Sequence, residues 1–172
     1  FFPHTIVNFE LVQAIRLGLV KTVAIDKRKE IASVPLDFKA DRDDGNDVVS
    51  LSSGQREMLR AGIKKLKILE EEFTRLDPSK FPKMLIMCED TTVVPFVNAF
   101  FKQEGILEED IIEVHSNRKG EIGEKEWQSL RQVLFDIDKH VKPKIIISVL
   151  MLKEGFDVSN VCVIVPLRAS SS

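Results

Sequence analysis

Three apolar runs, KMLIMC at 83–88, IIISVLML at 145–152 and VCVIVPL at 161–167, limit this chain more than any other feature. Each is short and almost wholly apolar, the pattern of a strand buried on both faces rather than of one with a wet side. The segments between them carry helical spacing instead. Thr91 to Glu104 is expected to form a helix with Pro95 in its first turn, where the missing N–H costs nothing. Ile111 to His115 is expected to be a further strand. Gly123 to Asp138 is expected to be a helix with Trp127, Leu130, Leu134 and Ile137 on one face. Alternating strands and helices of this kind predict an α/β fold, a parallel sheet with helices on both faces joined by right-handed crossovers.

Upstream, Ser52 or Ser53 caps an expected long helix reaching about Leu76. Its apolar residues Leu59, Ile63, Leu66, Leu69, Phe73 and Leu76 recur at three and four, so one face is buried. Pro78 and Pro82 end it. Lys39 to Ser50 (KADRDDGNDVVS) is polar, contains an Asp-Gly turn signal, and is expected to be a loop and the best domain boundary. Before it, residues 10–18 predict a short helix and Leu19 to Ile25 a strand.

Composition narrows the function classes. A net charge of -2 and a pI near 6.0 give no global attraction to nucleic acid, so any such role must rest on local groups. No apolar run approaches a membrane span and no signal peptide precedes the domain, so the chain is expected to be cytoplasmic, with no membrane partner. Cys88 and Cys162 each lie in an apolar run and are expected to be buried free thiols. The chain starts at Phe1 and stops just after an apolar strand, so it is expected to be part of a longer polypeptide.

In an open parallel sheet, ligands bind outside the carboxyl ends of the strands. Three polar segments leave strands there: Glu89-Asp90-Thr91-Thr92, His115 to Gly120 (HSNRKG), and Lys153 to Asp157 (KEGFD). Thr91 and Thr92 can bond a phosphate beside the N–H groups of a first helical turn, or Asp90 or Thr91 can simply cap the helix. Ser116, Asn117, Arg118 and Lys119 suit a sugar-phosphate backbone, and equally a solvated turn. Gly155 permits a turn that other residues resist, and the Asp157 carboxylate suits sugar hydroxyls. Neither GxxxxGK[ST] nor GxGxxG occurs, so the chain carries no phosphate loop of its own.

In order and spacing these segments resemble superfamily 2 helicases. KMLIMCEDTTVVPFVNAF resembles motif IV, EVHSNRKGEIGEKEW the strand and loop that follow it, and KIIISVLMLKEGFDVSNVCVIVPLR motif V, with Ser148 where many relatives have threonine. Glu154 stands where DEAD-box proteins usually have arginine, so no role of that arginine carries over. The wording of NFELVQAIRLGLVK, LSSGQREMLRAGIKKL, MCEDTTVVPF, HSNRKGEIGEKEW and SVLMLKEGFDVSNVCVIVPLRAS is similar to the restriction subunit of type III restriction enzymes, over nearly the whole chain.

The resemblance implies a RecA-like second motor domain of an ATP-dependent DNA translocase, a hydrolase belonging to a restriction endonuclease and inactive alone. It implies a linker at 1–50 leaving a first motor domain, the long helix at 51–79, and a helicase C-terminal domain at 80–172 that stops before motif VI. Gly155 and Asp157 would face the nucleotide. Thr91, Thr92, Ser116, Asn117, Arg118 and Ser148 would face nucleic acid. ATP and Mg²⁺ would serve the parent protein, with neither bound to this piece. The implied partners are DNA, the first motor domain of the same polypeptide, and a modification (methyltransferase) subunit. Two other expectations rest on the residues alone. One is a flavodoxin-like signalling module with an acidic Mg²⁺ and phosphoacceptor site at Asp90. The other is an interaction domain using the polar face Arg56, Arg60, Lys64, Lys65 and Lys67 of the long helix.

Overall fold

The computed structural model describes residues 39–114, 124–149 and 161–167, with the side chain of Glu126 excepted. A hairpin of β1 (Asp41–Arg42) and β2 (Val48–Ser50) precedes the long helix α1 (Ser53–Leu76). Then follow β3 (Lys83–Cys88), α2 (Val94–Gln103), β4 (Ile111–Val114), α3 (Glu124–Phe135), β5 (Ile145–Ser148) and β6 (Val161–Leu167). The last four strands form one sheet in the order β4-β5-β3-β6, and every pairing in it is parallel.

The α/β class and the parallel sheet agree with the sequence expectation, and the apolar runs explain the layering. Met84, Ile86, Ile145, Ile147, Val163 and Val165 face one side, where Leu59, Ile63 and Leu66 of α1 and Val97 and Phe101 of α2 cover them. Leu85, Val114 and Ile146 face the other side, under Leu134 and Ile137. Each fully buried side chain of this size contributes roughly 1.5–3 kcal/mol. Helices on both faces leave the central strands β3 and β5 no wet side, which is why their sequences do not alternate, whereas the edge strand β6 is apolar throughout yet turns alternate residues outward.

Helix α1 starts where its sequence says. Ser52 accepts a bond from the Gln55 N–H (3.2 Å), and the Gln55 amide oxygen accepts one from the Ser52 N–H (3.1 Å), a reciprocal cap. At Gly62 the helix approaches the sheet so closely that a Cβ would lie 2.7 Å from Val165 Cγ2 and 2.9 Å from Met84 Sδ. Beyond Leu69 the helix overhangs the core, so Leu76, expected on the buried face, is 72% exposed.

Four further expectations are corrected. Residues 39–50 are not a loop: Asp43 Oδ1 accepts from the N–H groups of Gly45 (3.0 Å) and Asp47 (2.9 Å), and the chain turns back as a hairpin. The left-handed residue of that turn is Asn46, not Gly45, a conformation asparagine tolerates. Ala40 and Leu51, at either end of the hairpin, are buried in the main core. Second, α2 starts at Val94, three residues later than expected, and α3 ends at Phe135 rather than Asp138, before a separate short turn at Ile137–Lys139. Third, β5 ends at Ser148 rather than at residue 152; β4 covers Ile111–Val114, and His115 lies outside the described residues. Fourth, Cys88 is buried but Cys162 is exposed, because β6 turns its alternate residues Cys162, Ile164 and Pro166 outward. The helix and strand expected in 10–25 lie outside the described residues. No helix among the described residues is long and apolar enough to cross a membrane.

Candidate functional site

The two central strands send the chain in opposite directions. From β3 it goes through α2 to the outer strand β4, whereas from β5 it goes past β3 to β6. Open α/β sheets bind ligands beside such a reversal, at the carboxyl ends of the strands. The register puts Met87 beside Ser148 and Ser148 beside Val114, so β3, β5 and β4 end level with one another. The segments that follow them therefore leave from one edge.

After β3 the backbone turns through Glu89 to Val93 before α2. Asp90 organises this turn. Its Oδ1 accepts from the Thr92 N–H (2.8 Å) and from the Thr92 hydroxyl. Its Oδ2 accepts from the Arg42 guanidinium at 2.9 Å. Burial pushes the Asp90 carboxyl upward, but the bonds from Thr92 and Arg42 outweigh it and hold the group below its ordinary value. Glu89 lies 3.8 Å from the same guanidinium. The Arg42 link was not legible in the sequence, where Arg42 and Asp90 are 48 positions apart. An arginine beside a turn signal does not by itself say what it will meet.

The predicted site residues divide into three groups. Thr91 and Thr92 are both exposed at this turn. The Thr92 hydroxyl and N–H are committed to Asp90, so its remaining capacity is as an acceptor, which a phosphate does not need. Thr91 has no hydrogen-bond partner among the described residues and keeps its donor. Ser148 is wholly buried at the end of β5. Its side chain is enclosed in this conformation. Ser116, Asn117, Arg118, Gly155 and Asp157 lie outside the described residues.

The first turn of α2 also differs from expectation. The N–H groups of Phe96 (3.1 Å) and Val97 (3.2 Å) both bond the Val93 carbonyl, and Pro95 has none. Little of a phosphate-binding cradle of backbone donors remains there. No side chain caps this helix; Asp90 orders the turn before it instead.

Asp90 is poorly disposed as a phosphoacceptor, since both its oxygens are already engaged. No group of three histidine, cysteine or acidic side chains suited to a metal ion occurs among the described residues. The polar face of α1 is partly engaged within the chain: Arg60 pairs with Glu57 (2.8 Å) and Glu104 (3.5 Å) and stacks over Phe100, 5.4 Å from its centroid. A groove of about 690 Å³ runs between α2 and β4, lined by Asn98, Lys102, Ile106, Leu107 and Glu113 among others, and contains none of the predicted site residues. It is open and gathers no convergent set of reactive groups, so the strand-end turn remains the better candidate.

A buried lysine marks the opposite edge. Lys83, at the start of β3, has no solvent exposure and donates to the carbonyls of His140 (2.6 Å) and Pro143 (2.7 Å). Desolvation pushes its ammonium down to about 8, against the opposing pull of Asp138 and Glu70. Nothing local marks this residue beyond a lysine opening an apolar run. Comparison with known proteins found no match: no family model, no curated protein and no solved structure matches this chain.

Proposed function

We propose that the chain is the second, RecA-like motor domain of a superfamily 2 DNA translocase, of the kind found in the restriction subunit of type III restriction enzymes. One observation carries the reading. The three segments whose wording resembles motif IV, the loop after it and motif V follow β3, β4 and β5, three neighbouring parallel strands that end at the same edge. A motor domain uses that edge to meet nucleotide and nucleic acid, and uses backbone and hydroxyl donors rather than a strongly basic surface. A net charge of -2 is compatible with such a surface.

In this reading Thr91, with Ser116, Asn117 and Arg118, contacts the DNA backbone. Thr92 shapes the turn, and Ser148 supports the strand end from inside. Gly155 and Asp157 face the nucleotide, Asp157 near the ribose. They supply half a site. The triphosphate and its Mg²⁺ need a phosphate loop, which this sequence does not contain, so a first motor domain must provide it. A modification subunit would supply base recognition.

ATP hydrolysis, with and without duplex DNA, tests this for the 172-residue chain beside a longer polypeptide of the same gene that includes a phosphate loop. The expected result is DNA-stimulated turnover by the longer protein and none by this chain. Asp157→Ala in the longer protein should then abolish turnover by weakening nucleotide binding, and Arg118→Ala should remove the stimulation by DNA. Hydrolysis by the chain alone would contradict a split site, and silence from both would contradict the motor reading.

A further inference from the structure

The turn that exposes Thr91 also carries two carboxylates, Glu89 and Asp90, on the residues just before it. A phosphate approaching Thr91 meets both, and like charges at such range oppose binding. One cation of the described residues faces them. Arg42 lies 2.9 Å from Asp90 and 3.8 Å from Glu89, only 22% exposed. Its other terminal nitrogen donates to the Asn46 carbonyl (2.9 Å), so the guanidinium is fixed at one end by the turn of the β1–β2 hairpin. The hairpin is fixed in turn by buried Ala40 and Leu51 and by Val48 against the core. Asp90 passes the restraint on, since its second oxygen holds both the N–H and the hydroxyl of Thr92.

We propose that Arg42 is a positioning residue for nucleic-acid binding at this edge: it offsets the charge of Glu89 and Asp90 and, through Asp90, holds the turn that presents Thr91. The hairpin thereby belongs to the binding surface although it contacts no ligand itself. This rests on the motor-domain reading. The two ideas separate by experiment, because the charge role makes a demand that a purely structural role does not. If Arg42 matters by cancelling carboxylates, removing a carboxylate must repair its loss.

The test is fluorescence anisotropy of a labelled duplex DNA titrated with the full chain at low salt, alongside urea unfolding. Arg42→Gln should weaken binding about fivefold, the effect of one unit charge uncovered at contact range in a largely aqueous setting. Arg42→Lys, which keeps the charge, should stay within about twofold of the parent. Glu89→Gln in the Arg42→Gln background should recover most of the lost affinity. Glu89 makes no hydrogen bond among the described residues, so this change should leave the unfolding midpoint alone. Wild-type affinity in Arg42→Gln, or no recovery in the double variant, overturns the proposal. If Thr91→Ala weakens binding while Arg42→Gln does not, only the role of Arg42 falls. If the parent chain binds no DNA, the turn is not a nucleic-acid surface by itself and this role of Arg42 falls, while the motor reading is decided by the ATPase comparison.

Discussion

At the amino edge of the sheet, Lys83 turns its ammonium inward to two carbonyls; at the carboxyl edge, Arg42, Glu89, Asp90 and Thr91 meet in a turn open to solvent. The amino edge is knit by chain-to-chain bonds: Phe81 N–H to the Asp138 carbonyl (2.8 Å), Met84 N–H to Lys144 (2.9 Å), and Lys144 N–H to Asp110 (2.8 Å). Lys80 adds an ion pair with Asp138 at 3.1 Å. The polar groups named there are used up by the fold itself. Those at the carboxyl edge hold a turn in shape and leave a hydroxyl outside. One edge therefore serves stability, and the other is available to a ligand.

That contrast breaks most easily at Lys83. Lys83→Ala removes a buried aliphatic stem and strands two carbonyl acceptors, and should cost roughly 2–4 kcal/mol in urea unfolding while leaving DNA binding by the folded chain unchanged. Equal loss at both edges would erase the distinction. Gly62→Ala tests the close approach of α1. Val165 cannot yield as freely as the tip of Met84, and overpacking of about 1–3 kcal/mol outweighs the roughly 1 kcal/mol gained in helix propensity. A net loss of about 1 kcal/mol is expected, read from the thermal midpoint.

At the carboxyl edge the expected order is reversed. Thr91→Ala should shift stability by less than about 0.5 kcal/mol, as for an ordinary surface site, yet weaken binding of duplex DNA severalfold. The amino edge also carries a pH dependence. The folded-state ammonium of Lys83 lies near 8, below its unfolded value of 10.5. Between those values the unfolded chain binds more protons than the folded one, so this residue makes stability rise with pH from about 8 to 10.5 and contributes no slope below. Urea midpoints for the parent and for Lys83→Met should differ in slope across that window. Asp90 gives a slope of the same sign in acid: its depressed carboxyl contributes stability above its unfolded value that fades as pH falls through the folded one.

Much of the fold was legible because the signals were local. β3 and β6 fall on the apolar runs read from sequence, and Ser52 caps α1 through chemistry confined to four residues. Ends were less legible where the governing interaction is distant. Asp90 draws the Thr92 N–H and hydroxyl away from α2, so the helix begins late. The hairpin at 41–50 is polar in sequence, and what anchors it, Ala40 and Leu51 in the core and Arg42 on Asp90, is tertiary. Ser148 shows the reverse limit: the resemblance to motif V implies a nucleic-acid contact, while sheet packing buries the residue.

The most direct test is an amide chemical-shift titration of the isotopically labelled chain with a short duplex DNA. The largest changes are expected on Thr91, Thr92 and their neighbours after β3, with Lys83, His140 and Lys144 unmoved. Changes centred on the amino edge, or on the α2–β4 groove, would contradict the assignment of the carboxyl edge as the surface that meets nucleic acid.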